Sequence, residues 1–251
     1  MNSTRTTPVV MIALGILLAS AFPTRAQSPA APKAVAPKTA LPPSFTVISP
    51  IFGQLVRFSM PSAFAPVAFE KTNGPSYIRE AVLKGETVEA WTQMITVTGA
   101  KGLAANPQVT PESFAVSMAA GFKRGCPDTF AVKPLGAQKF GDQDGFVAVA
   151  GCGRVETAAD KHGETALIVV VKGSADFYTI QWAERVPGGD KPAVTEAKWQ
   201  DRLNKLQPIR FCPIVPGEAM PYPSCVGGKQ PQGGKGAPSR RAHLPHTPPS
   251  S

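Results

Sequence analysis

Histidine is almost missing from this chain, with three in 251 residues, and that shortage excludes a good deal. Imidazole is the commonest general acid-base group near neutral pH and the commonest metal ligand. Only His162 falls within residues 45–212, in a polar loop where a solvated surface role is expected. His243 and His246 stand in a Pro- and Ser-rich C-terminal stretch, and two imidazoles there make a poor metal site. Motifs are lacking too: there is no GxSxG elbow, no HExxH pair and no GxxxxGKS/T loop. Gly151-Cys152-Gly153 has no strand-to-helix setting of the kind a dinucleotide site needs. Paired CxxC knuckles are absent, which removes a zinc knuckle and a thioredoxin-like redox centre. No apolar run approaches the ~20 residues of a bilayer-spanning helix.

What the chain has in quantity is proline and glycine, 27 and 23 residues. They cluster at the two ends and leave residues 45–212 with the apolar content and periodicity of one globular domain, long enough to bury a substantial core. The charge is distributed in the same way. Of the net +9, residues 45–212 account for only +2, from 18 Lys and Arg against 16 Asp and Glu. A folded nucleic-acid module carries its positive stripe on the domain itself, so the sequence argues against one.

Residues 1–26 combine Arg5, an apolar run from Val9 to Phe22, and Thr24 and Ala26 before a cleavage point, the organisation of a secretory signal peptide. Residues 27–44 form an Ala/Pro-rich linker, residues 45–226 the globular domain, and residues 227–251 a basic Gly/Pro-rich tail expected to be disordered. The expected location is therefore periplasmic or secreted, without a transmembrane segment after cleavage.

The domain is organised around residues 165–185. Ala166 to Val171 is apolar at every position, which suits a strand buried on both faces. Turn residues at 173–176 lead to a second strand whose Tyr178, Ile180 and Trp182 share a face. Further strands are expected over 56–60, 67–71, 77–84, 91–98, 130–140 and 145–155. In 91–98, Trp91, Gln93, Ile95 and Val97 are expected to point the same way. Thr110-Pro111-Glu112 starts a helix ending near Gly125, with Phe114, Met118 and Phe122 at four-residue spacing and Ala115 and Ala119 beside them. A second helix, capped by Thr195, carries Trp199, Leu203 and Leu206. Asp142 and Asp144 read as turn residues rather than an acid-base pair.

Four cysteines in an exported chain read as two disulfides. Three pairings are possible. The favoured one joins Cys126, which follows the helix, to Cys152, in a strand able to pass beneath it, and joins Cys212 to Cys225 as a clip on the C-terminal segment.

The order of strands, helix, four antiparallel strands and helix predicts an α+β fold, an antiparallel β-sheet covered by helices, in a single domain with disordered tails. The element order from Val56, through WTQMITVTG and the helix that follows, resembles the PsbP-like superfamily of α-β-α sandwich domains, which includes periplasmic DcrB-like proteins. That resemblance implies a non-catalytic accessory or binding role and carries over no functional residues. The expected function is an exported, monomeric, non-enzymatic binding or envelope-accessory protein, needing no cofactor or metal, with an unidentified envelope protein or small ligand as partner. Two alternatives stand beside it. A hydrolase or redox enzyme would need a cleft around Cys152, His162 or the Trp91 face, and weak polyanion binding would run through the basic tail. Tyr178 and Trp182 read as core aromatics rather than a ligand platform.

Overall fold

The structure is a computed structural model and describes residues 42–155 and 161–227. Residues 1–41, 156–160 and 228–251, and with them the expected signal peptide, most of the expected linker, the tail, His243 and His246, lie outside the described residues.

The run from Ala166 to Val171 is the middle of β8, Gly163–Lys172. Its side chains divide strictly by parity. Leu167, Val169 and Val171 enter one core and Ala166, Ile168 and Val170 the other, which is why no position in the run is polar. β9, Phe177–Val186, pairs with it in antiparallel register, Leu167 opposite Trp182. On its far side lie β5, Gln93–Ala100; β4, Ser76–Val82; and β3, Phe69–Asn73. On the other flank of β8 lie β7, Gln143–Cys152, and β6, Phe130–Phe140. The seven-stranded sheet has the order β3-β4-β5-β9-β8-β7-β6 with every pair antiparallel.

One face of this sheet is covered by α1, Pro111–Gly125. Its start is fixed locally: the Thr110 hydroxyl accepts from the Ser113 N–H at 3.1 Å and the Ser113 hydroxyl accepts from the Thr110 N–H at 2.9 Å. Ala115 and Ala119 are its buried positions, small enough to bring the helix backbone close to the sheet, while Phe114, Met118 and Phe122 pack at its margins.

The opposite face corrects the expected α-β-α sandwich. It is covered mainly by a second antiparallel sheet, order β1-β2-β10, made of β1, Ser44–Ile51; β2, Gln54–Pro61; and β10, Arg210–Pro213. Val47, Ile51, Val56, Phe58 and Met60 of this small sheet pack on Val147, Val169 and Ile180 of the large one. Beside it lies α2, Lys198–Leu206, nine residues long, and a four-residue α3, Pro223–Val226, stands at the C-terminal end. Among the described residues there are ten strands and three short α-helices, so the domain is β-rich and sheet faces sheet across its main core. The helical layer expected on that face is reduced to α2 because β1, β2 and β10 take most of it. β1 carries Pro50 and β10 is a four-residue strand ending on Pro213, and proline is tolerated in both because each is an edge strand.

The layers meet at particular residues. β1 and β2 are joined by Phe52 and Gly53, and their turn rests on β5 at Gly99, where a Cβ would come within 2.7 Å of Ile51 Cγ2. Asp176, buried in the β8–β9 turn, accepts from the backbone N–H groups of Gly53 at 3.1 Å and Gly102 at 2.7 Å and from the Tyr178 hydroxyl at 3.1 Å. The disulfides join Cys126 after α1 to Cys152 at the end of β7, and Cys212 of β10 to Cys225 of α3.

Candidate functional site

β9 places Trp182 and Glu184 two residues apart on the face that looks toward the small sheet, and β5 sets Gln93 opposite Glu184. The Trp182 indole N–H donates to Gln93 Oε1 at 3.1 Å, and the Phe64 ring meets the indole edge to face at 5.2 Å. Phe64 is held there by a bridge to Leu83 beyond the end of β4.

The fourth wall comes from α2. Trp199, Leu203 and Leu206 form its buried stripe, and the Trp199 indole N–H donates to the Ala193 carbonyl at 2.6 Å. Arg202 lies three residues after Trp199, on the flank of that stripe. Its guanidinium lies over the Trp182 ring, 4.3 Å from the centroid, and its Nη2 pairs with Glu184 Oε1. Lys198 Nζ reaches the other Glu184 oxygen at 3.0 Å. Burial pushes the Arg202 guanidinium below its ordinary range. The ion pair and the indole face offset that cost, since a cation over a desolvated aromatic ring gains about 2 kcal/mol. Arg202 Nε is buried and meets no acceptor among the described residues.

These groups enclose a cleft of about 560 Å³ at one end of the two-sheet core, closed on the far side by Ser44, Ser59 and Pro61. Its floor is aromatic and aliphatic, from Trp182, Phe64 and Leu83, and its polar wall is Arg202, Asn204, Lys205, Gln93 and Gln207. No carboxylate lines it among the described residues. Such a surface can bury an apolar body and present N–H donors to its polar end.

The residues singled out by sequence are dispersed. Trp182 lines the cleft, whereas Tyr178, on the same strand face, is a core residue at the other end of β9. Its hydroxyl donates within reach of the Ile51 carbonyl at 3.2 Å and of Asp176, and burial together with that carboxylate raises the phenol. Trp91 is corrected: it precedes β5, so the alternation does not reach it, and it belongs to the α1 face with the Arg185 guanidinium 3.9 Å above its ring. Thr195 is likewise not the cap of α2, whose N-cap is Ala197 with no side-chain bond.

Cys152 borders a second cleft, about 300 Å³, with Glu164, Gln181, Met118 and Phe122. Glu164 Oε2 lies 3.3 Å from Arg185 Nε and 3.5 Å from His162 Nε2. Around this cleft the structure thus gathers Cys152, His162 and, through Arg185, Trp91. Its sulfur is tied up in a disulfide with Cys126 and its carboxylate is held by a guanidinium, an arrangement without a free thiolate. Asp144 pairs with Lys139 at 2.7 Å on the surface, and Asp142 sits in the β6–β7 turn. No set of three His, Cys, Asp or Glu side chains among the described residues is placed to hold a metal.

No family model and no curated protein matches this chain. Partial likenesses exist among solved structures. A protein from Bacteroides thetaiotaomicron is 10% identical with a TM-score of 0.34, over 65% of this chain and 46% of the other. A mutant of the protein Mog1 is 11% identical with a TM-score of 0.37, over 65% and 86% of the two chains. The Ran-binding protein Mog1p of Saccharomyces cerevisiae is 10% identical with a TM-score of 0.37, over 65% and 85%. The chain thus spans less than half of the Bacteroides protein. Function has to be read from this chain's own side chains.

Proposed function

We propose that this protein is an exported, non-enzymatic binding protein, monomeric, that holds a small ligand in the cleft between Trp182 and Arg202. The observation that carries the reading is that cleft: about 560 Å³ of space with an apolar aromatic floor and convergent donors along one wall. Volumes of that order, mostly apolar with a few placed polar groups, are what small-molecule sites present. Two disulfides suit an oxidising compartment, and no helix among the described residues is long and apolar enough to cross a membrane. A periplasmic location belongs to the same proposal.

Ala63 offers a clean test because it is exposed at the cleft lip, so Ala63→Trp fills the space without touching the core. Native mass spectrometry of the mature chain after incubation with a small-molecule envelope extract is expected to show an added mass that the Ala63→Trp protein loses. An added mass of unchanged occupancy in that variant would move the ligand elsewhere.

A further inference from the structure

The cleft wall keeps donors free while its acceptors are taken. Gln93 Oε1 accepts from the Trp182 indole N–H at 3.1 Å, and Gln207 Oε1 accepts from the Ile209 backbone N–H at 3.1 Å. Both partners can only donate, so each carboxamide turns its oxygen toward the protein, and the group it has left for the cleft is its NH2. Asn204 repeats the arrangement, its Oδ1 accepting from Gln200 Nε2 at 3.2 Å. The backbone shows the same bias. Of the residues that line the cleft, Pro43, Pro61, Ala63, Leu83 and Asn204 each have a carbonyl that already accepts a backbone N–H. The charges around the cleft cancel. Arg202 and Lys205 are the charged residues of the lining; Arg202 and Lys198 are matched by Glu184 and Glu196, and Lys205 by Asp201. The site therefore calls for neither an anion nor a cation. Its floor of Phe64, Leu83 and Trp182 meets an apolar body.

We infer that the cleft binds a neutral ring ketone or lactone, a molecule that accepts hydrogen bonds and donates none, its oxygens on the free NH2 groups of Gln93 and Gln207 and its ring body against Phe64, Leu83 and Trp182. The inference rests on the binding reading above. It extends that reading by fixing the hydrogen-bonding sense of the ligand, because a ligand N–H or O–H at this wall would face donors rather than acceptors.

The test is a ligand-observed NMR titration of the mature chain with two pairs of probes. 4-Chromanone and chroman share one skeleton and differ by the carbonyl; coumarin carries acceptors without a donor, and indole a donor without an acceptor. 4-Chromanone is expected to bind at least about fivefold more tightly than chroman, and coumarin than indole, since a site with fixed donors discriminates against an analogue that cannot accept from them. Gln93→Glu and Gln207→Glu keep an oxygen for Trp182 and Ile209 while removing the NH2. Each is expected to lower the chromanone-to-chroman ratio at least about twofold, the worth of one modest hydrogen bond, and Ala63→Trp to abolish binding of all four probes. Gln207 is exposed, so Gln207→Glu decides should Gln93→Glu fail to fold. Equal binding within either pair, or a ratio unmoved by these substitutions, would overturn the acceptor assignment and leave the cleft reading standing. Binding that survives Ala63→Trp, or no binding of any probe, would overturn both.

Discussion

Asp176 holds the two sheets together through three donors that come from three parts of the chain: the β1–β2 turn, the loop after β5, and Tyr178 of its own hairpin. The carboxylate is buried, so removing it strands two backbone N–H groups and leaves the Tyr178 hydroxyl only the Ile51 carbonyl. Asp176→Ala is expected to lower the unfolding free energy by about 3 kcal/mol in urea denaturation, with Asp176→Asn intermediate because the amide oxygen still accepts; a loss below ~1 kcal/mol for the alanine variant would contradict the role. The tyrosines add a pH dependence. Burial, reinforced by Asp176 for Tyr178 and by Glu70 for Tyr77, raises both phenols above their ordinary value. A raised phenol favours the protonated form in the folded state, so its stabilisation is full below the unfolded pKa of about 10 and is lost as pH rises through and above it. Titration at 295 nm alongside circular dichroism is expected to show these two phenolates appearing together with loss of structure. Their ionisation in a still-folded protein would reject the assignment.

At the scale of elements, α1 was legible because its signals are local: Thr110 as cap, Pro111 at the first turn, Lys123 and Arg124 in the last. Thr110→Ala is expected to cost about 1 kcal/mol by thermal or urea unfolding, and Thr110→Ser to restore most of it, whereas no change would mean that packing alone places the helix. β8 was equally legible, since six consecutive apolar side chains rich in Val and Ile suit a strand with two buried faces. What escaped depended on distant partners. β1 and β10 are strands because β2 lies between them, and nothing within SFTVISPI or RFCP announces that. The cleft escaped for the same reason. Trp182 was singled out as an aromatic on a strand, but its companions Gln93, Phe64 and Arg202 are far apart in sequence and meet only through the β5–β9 register and the docking of α2. The available signal was Arg202 itself, a long cation three residues after Trp199 on the margin of an otherwise apolar helical stripe.

For the molecule as a whole, the large sheet acts as a partition. Its two faces feed separate cores, one with α1 and the Cys126–Cys152 disulfide, the other with the small sheet, α2 and the cleft. Side chains on opposite faces touch different neighbours, so changes on one face should add to, rather than couple with, changes on the other. The disulfide closes a loop of 26 residues that runs from the C-cap of α1 through β6 and β7, and by loop-closure entropy it contributes about 3 kcal/mol. Replacing Cys126 and Cys152 together with serine is therefore expected to lower stability by about that amount, while the mass added by incubation with the envelope extract keeps its occupancy at temperatures where the variant is folded. Calorimetric unfolding and native mass spectrometry on the same preparation check both halves. A stability loss accompanied by loss of the added mass would show that the sheet transmits strain between its faces, and the cleft would then have to be read as one site with the α1 side rather than as an independent one.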